Sequence, residues 1–194
     1  MDLRQSEQYK YEKLWQKKKY REASPAERAL PHLLRCVQPE STVLDLGCGT
    51  GRASLELRKY GCSVEMVDIA IGCLDEAVRK SLDHNLMFTQ ACLWAMPDSI
   101  VCHDWIICID VLEHIPPALV RTTLKGMADR MIEGGYFKVA HFDDHFSKAL
   151  IGEDCHLTVE DSAWWHKTIS EYFNIEEIDT SEPNNTTYIV RRKD

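Results

Sequence analysis

Apolar and polar positions alternate along this chain in blocks rather than one by one. Positions 42–45, 63–68, 86–91 and 104–110 are short, nearly continuous apolar runs, the pattern of strands buried on both faces. Runs with helical spacing follow three of them, at 52–60, 72–82 and 117–131. Gly134-Gly135 is expected to stop the last of these helices and to give way to a fifth strand at 136–141. A longer connection, 142–157, carries His145 and His156. Positions 158–173 then read as a helix, with Thr158-Val159-Glu160-Asp161 as a capping box. Two closing strands, 174–179 and 186–191, have no helix between them and are joined by a turn at Glu182-Pro183-Asn184-Asn185. Strands alternating with helices predict an α/β fold: a doubly wound, mainly parallel sheet finished by an antiparallel terminal hairpin.

Residues 1–40 precede this pattern and read as a helical arm, set against an α/β domain over 41–194. Tyr9, Tyr11, Leu14, Trp15 and Tyr20 are interleaved with lysines, including Lys17-Lys18-Lys19. Ser24-Pro25-Ala26-Glu27 is a helix start, with Ser as N-cap, Pro at the first position and Glu at the third; that helix should reach about Val37. The aromatics either pack the arm onto the sheet or close it as a lid over a ligand. The lysine triplet is a solvated face or a phosphate contact.

Charge narrows the partners. The net charge is −8 over 194 residues, from 23 basic and 31 acidic side chains. That argues against a broad grip on nucleic acid and leaves room only for a small basic patch, such as the lysine triplet or Arg191-Arg192-Lys193. The eight cysteines form no C-x-x-C pair and several fall in apolar runs, so they read as reduced, buried small hydrophobes of a cytoplasmic protein. No apolar run approaches membrane-span length, and the polar opening residues do not resemble a signal peptide.

The chemistry is concentrated at Val43-Leu-Asp-Leu-Gly-Cys-Gly-Thr-Gly-Arg52, a strand running through three glycines into a helix. Such a turn lays bare backbone against a nucleotide-like ligand. The D-x-G-x-G-x-G spacing differs from the dinucleotide-binding G-x-G-x-x-G. Its leading carboxylate, Asp45, would repel a phosphate and suit an ammonium group. Asp68, about twenty residues past the turn, closes the second strand where a carboxylate can accept both hydroxyls of a ribose.

This stretch resembles motif I of the class I S-adenosylmethionine (SAM)-dependent methyltransferases, and the strand order from residue 41 onward resembles their seven-stranded sheet. The resemblance implies SAM as cofactor. It implies a cradle from Asp45, Gly47, Cys48 and Gly49, ribose contacts from Asp68, and Ile69 against one adenine face. Many such enzymes place an acid after the third strand; Cys92 or Leu93 stands there in this chain, so a backbone amide is the expected adenine contact, with Trp94 as wall or packing. Asp110, at the end of the fourth strand, completes the cofactor set.

Acceptor chemistry should follow that fourth strand. The N-P-P-Y and Pro-Cys signatures of base methylation are absent, and Asp110-x-x-Glu113-His114 stands in their place. On a helical turn these three side chains share a face. They resemble the E-x-x-E-H pattern of metal-dependent O-methyltransferases, which implies a divalent ion (Mn, Fe, Co or Zn) held by Asp110, Glu113, His114 and His156, with His141 and His145 in reserve. Without a metal, His114 is a general base, helped by Glu113, or a structural residue. One of the adjacent Trp164 and Trp165 must face the core, leaving the other for the substrate side or an interface. The function so implied is methyl transfer from SAM to a hydroxyl of a small molecule or sugar. Alternatives are a methyltransferase of RNA-terminal ribose and a SAM-binding, non-catalytic partner subunit. No membrane contact is expected.

Overall fold

The computed structural model describes residues 2–24 and 26–193. Three helices come first: α1 (Leu3–Trp15), α2 (Lys18–Glu22) and α3 (Ala26–Cys36). A capping box opens α1, with the Gln5 amide donating to Asp2 at 2.8 Å and the Asp2 amide donating to Gln5 at 3.1 Å. The proline expected at the first position of α3, Pro25, lies outside the described residues.

The alternating part follows as β1 (Thr42–Leu46), α4 (Arg52–Tyr60), β2 (Ser63–Asp68), α5 (Glu76–Lys80), β3 (Leu86–Gln90), β4 (His103–Ile109), α6 (Val120–Ala128) and β5 (Met131–Ala140). The chain closes with α7 (His145–Ile151), α8 (Ser162–Ser170), β6 (Phe173–Asp179) and β7 (Asn185–Arg192). The sheet has seven strands in the order β3-β2-β1-β4-β5-β7-β6. Strands β1 to β5 run parallel, and β7 inserts antiparallel between β5 and β6. The predicted fold class and the terminal hairpin therefore stand.

Alternate side chains on the central strands feed two cores. Leu44, Leu46, Ile106 and Phe137 pack with Trp165 on one face; Val43, Met66, Trp105 and Ile107 pack with Leu33 and Leu57 on the other. Trp165 is fully buried, and Trp164 packs half-buried against the same cluster instead of facing the substrate side.

Four expected boundaries are corrected. The helix predicted over 72–82 is only α5, because the preceding loop is pinned from outside: Glu12 accepts from the amides of Ile71 and Gly72, and Asp75 is held by Arg21 and Arg52. Gly134-Gly135 does not stop a helix but lies inside β5. A Cβ on Gly134 would meet the Val190 carbonyl oxygen at 2.8 Å, so the glycine permits close strand pairing. The Thr158 capping box does not form either. Asp161 caps α8 by accepting from the Trp164 amide, while the Thr158 hydroxyl donates to the Ile115 carbonyl at 2.6 Å and anchors the preceding loop. Finally, 110–114 is not an α-helical turn, for reasons given below.

Candidate active site

Leaving β1, the backbone takes a positive φ at Gly47 (74°) and at Gly49 (52°), which side-chain-bearing residues rarely adopt. The amides of Gly47 and Cys48 both donate to the Val67 carbonyl, at 2.8 and 3.1 Å, tying the turn to the end of β2. There Asp68 accepts from the amides of Gly49 (3.0 Å) and Ala70 (2.9 Å). Burial nevertheless pushes its carboxyl up to about 6, the two backbone bonds offsetting only part of the desolvation. Asp45 is placed differently from expectation. It lies beneath the turn, accepting from the Ser54 hydroxyl on α4, and burial raises it to about 7. It does not line the cleft, because β1 turns its side chain toward α4.

Two connected chambers open at the carboxyl ends of the strands. The first is lined by Asp68, Ile69, Cys92, Leu93 and Trp94. The second has Cys48, Gly49, Glu113, His156, Phe142 and Phe146 in its walls. Gly47, Asp110 and His114 line both and mark their junction. The four polar atoms Tyr11 OH, Trp15 Nε1, Asp110 Oδ1 and Glu113 Oε2 are buried here without a hydrogen-bond partner among the described residues. Orphaned groups of this kind are rare in a finished core and ordinary in a site awaiting a ligand.

Asp110 is itself strained, with a φ of 51° on a residue that is not glycine. The turn it starts is a 3₁₀ turn over Leu112–His114, which cannot continue because Pro116-Pro117 follows. That geometry decides which ligand atoms converge. Side-chain atoms of Glu113, His114 and His156 lie within 4.8 Å of one another. Asp110 does not belong to this cluster, nor do His141 and His145; with its left-handed backbone, Asp110 does not start the α-helical turn that would have stacked its carboxylate on both Glu113 and His114.

The tautomers can be read from the partners. A carbonyl only accepts, so His114 Nδ1 donates to Cys155 O (2.9 Å) and His156 Nδ1 donates to Phe142 O (2.5 Å). Both rings, when neutral, carry their lone pair on Nε2. Burial, reinforced by His156, lowers His114 to about 3, so this ring is neutral at any working pH. Glu113 is held well above the usual carboxylate range by burial and by the neighbouring Asp110. Its Oε1 accepts from the Ala140 amide at 3.2 Å.

The arm forms the outer wall. Trp15 lies on Gly49, Tyr11 meets His114 edge-on with centroids 5.9 Å apart, and Tyr20 stacks with Phe146 at 6.3 Å. These aromatics also pack against the Val43–Met66 core, so packing and cleft-lining are one arrangement here. Sequence reasoning missed Glu12, which anchors α1 to the loop after β2, as well as Phe142, Phe146 and Asp144. The Asp144 side chain caps α7 by accepting from the Ser147 amide at 2.9 Å. An Asp two residues before an aromatic was the only signal for that cap, and it is a weak one.

A seven-stranded sheet of this order, with a glycine turn after β1 and an acid ending β2, is the class I SAM-dependent methyltransferase fold. The family model described as a methyltransferase domain matches residues 43–135. Among curated proteins, the ubiquinone biosynthesis O-methyltransferase of Coxiella burnetii is 33% identical over 76 residues, 38% of this chain and 32% of the relative. The sterol 24-C-methyltransferase of Schizosaccharomyces pombe is 31% identical over 85 residues, 41% of this chain and 22% of the relative. The matched stretch thus spans a third or less of either relative's length. Two solved structures share the fold. Magnesium protoporphyrin IX methyltransferase from Synechocystis, with bound SAH, has a TM-score of 0.67 at 21% identity, covering 87% of this chain and 81% of the other. The N-methyltransferase NodS from Bradyrhizobium japonicum, also with SAH, has a TM-score of 0.65 at 16% identity, covering 89% and 90%. No helix among the described residues is long and apolar enough to cross a membrane.

Proposed function

We propose that this protein transfers the methyl group of SAM to a hydroxyl of a small molecule or sugar, with SAM in the first chamber and the acceptor in the second. The observation that carries the reading is His114: a neutral imidazole whose Nδ1 is committed to Cys155 O, at the junction of the two chambers. In this assignment Asp68 accepts the ribose hydroxyls, Ile69 and Leu93 flank the adenine, and the unpartnered Asp110 carboxylate takes the ammonium group of the methionine moiety. Asp45 supports the turn from beneath.

The reaction is an in-line displacement. The new O–C bond forms as the C–S bond breaks, SAH leaves uncharged, and the acceptor proton passes to His114 Nε2. A base with so low a pKa is adequate because a hydroxyl oxygen becomes strongly acidic once methylated, so the proton departs late. Alignment and exclusion of water contribute most of the acceleration, and the arm supplies both.

The acceptor chamber supports a small molecule over RNA. Its walls include Asp110 and Asp144 and no Lys or Arg among the described residues, an unfavourable field for phosphates. Arg191 and Arg192 end β7, which runs antiparallel to β5, at the sheet edge opposite the cleft; Arg191 is engaged with Glu176 at 2.8 Å. Lys17-Lys18-Lys19 is exposed, on the segment between Trp15 and Tyr20, which line the cleft.

A second reading rests on the cluster of Glu113, His114 and His156. One carboxylate and two imidazole nitrogens, each ring oriented by a backbone carbonyl, suit manganese, iron, cobalt or zinc. An ion there would polarise the acceptor hydroxyl. Incubation with SAM carrying an isotopically labelled methyl group, a metabolite extract and, in parallel, small RNA, followed by mass spectrometry, tests the assignment. Label in a small hydroxyl compound supports it, label in RNA alone overturns the acceptor class, and SAH formation that survives excess chelator removes the metal reading.

A further inference from the structure

A second cluster of metal-ligating atoms lies outside the acceptor chamber. Cys48 Sγ, Cys73 Sγ and a carboxylate oxygen of Asp68 all lie within 4.8 Å of one another. Three separate pieces of the site contribute them: the glycine turn after β1, the loop after β2, and the end of β2 itself. All three residues are buried and both cysteines are free thiols.

We propose that Cys48, Cys73 and Asp68 bind a soft divalent cation of the zinc and cadmium type, and that this ion and SAM exclude one another. Two atoms tetrahedrally bound at about 2.3 Å stand about 3.8 Å apart. Atoms already within 4.8 Å reach that arrangement by small side-chain rotations. Thiolate sulfur selects soft ions over magnesium or calcium. Binding replaces two S–H bonds by two S–metal bonds and releases two protons, with no change of oxidation state. Asp68 retains lone pairs beyond those used by the Gly49 and Ala70 amides, and these amides hold its carboxylate in place. Cys48 lines one chamber and Asp68 the other, so the ion enters by the cofactor's route.

Exclusion follows because the Asp68 carboxylate offers about four lone-pair sites, of which the Gly49 and Ala70 amides take two and the two ribose hydroxyls would fill the rest; this part rests on the assignment of Asp68 made above. The site would make cofactor binding sensitive to free zinc, independently of the Glu113–His114–His156 cluster, whose donors contain no sulfur.

Cadmium is the probe, because thiolate–cadmium coordination gives an ultraviolet charge-transfer band that imidazole and carboxylate do not. The exposed Cys102 and the half-buried Cys36 are first replaced by serine, which leaves only buried thiols among the described residues. In that background a single equivalent of cadmium should raise the band. Cys73→Ser and Cys48→Ser should each abolish it, while His156→Ala should keep it. Saturating SAM should prevent the band, and cadmium should displace bound SAM in calorimetry. Circular dichroism confirms that each variant is folded. A band that persists in Cys73→Ser, or one that forms undiminished on the SAM-saturated protein, overturns the proposal. SAM binding measured by calorimetry without metal tests the cofactor assignment separately, so the two can fail independently.

Discussion

Trp15 lies directly over Gly49: a Cβ built on the glycine would come within 2.8 Å of the indole Cη2. The first helix and the glycine turn are therefore fitted to each other with no room between them. Hydrogen bonds hold the arm down on two sides, with Lys13 donating to Glu153 at 3.1 Å beside α7 and a second set on the loop after β2. Glu12 accepts from the Ile71 amide at 2.8 Å, and Arg21 donates to the Gly72 carbonyl at 3.0 Å and to Asp75 at 2.5 Å. Gly49→Val should abolish SAM binding in calorimetry, since it adds a positive-φ penalty to a collision with Trp15. Glu12→Ala should make the chain more readily cleaved by trypsin at Lys17-Lys18-Lys19, and saturating SAM should restore protection. If SAM gives no protection to either protein, the arm is not part of the cofactor site.

Asp68→Ala should weaken SAM binding at least tenfold. Hydrogen bonds to a charged acceptor contribute on the order of 1.5–3 kcal/mol each, and the ribose loses two. Unchanged affinity by calorimetry would remove Asp68 from the ribose site.

The pH dependence has a definite sign. Asp68 and Asp45 are raised to about 6 and about 7 in the folded chain, whereas an unfolded Asp titrates near ~3.9. The native state holds more protons in that window. The stability these groups contribute is present below ~3.9 and is lost as pH rises through about 6 and about 7. SAM binding should run the other way. It prefers ionised Asp68, so affinity should increase as pH rises through about 6, with proton release on binding. Denaturant midpoints of the free protein and calorimetric affinities across that range check both slopes. Parallel slopes would contradict the assignment of Asp68.

His114→Ala should leave SAM affinity within about twofold, because the ring sits at the junction and not among the assigned cofactor contacts, while lowering kcat by roughly 10²–10⁴, the usual range for a lost acid–base group. An excess of chelator should leave the wild-type rate unchanged if His114 acts alone. If the Glu113–His114–His156 cluster holds an ion, the chelator and His156→Ala should each reproduce the His114→Ala defect.

Phe137→Ala tests the core. Phe137 is fully buried and meets Phe173 edge-on with centroids 5.2 Å apart. Its truncation should destabilise the fold by about 3–5 kcal/mol, read as a lower urea midpoint at unchanged slope.

The sequence alone determined the sheet and most of the residues that line the first chamber. Continuous apolar runs, a glycine turn and acids closing β2 and β4 are local signals, and they suffice to place Gly47, Asp68, Ile69, Cys92, Leu93 and Asp110 around the cleft. What lay beyond reach depends on which distant segments meet. The 3₁₀ turn at Leu112–His114 and the positive φ at Asp110 arise where β4 meets the loop anchored by Thr158, and they decide that His156 joins the Glu113–His114 cluster while Asp110 does not. The burial of Asp45 under the turn, Trp15 on Gly49, and Cys73 beside Cys48 are likewise contacts between segments far apart in sequence. Periodicity reports which face of an element is apolar; it carries no information about which other element will cover that face.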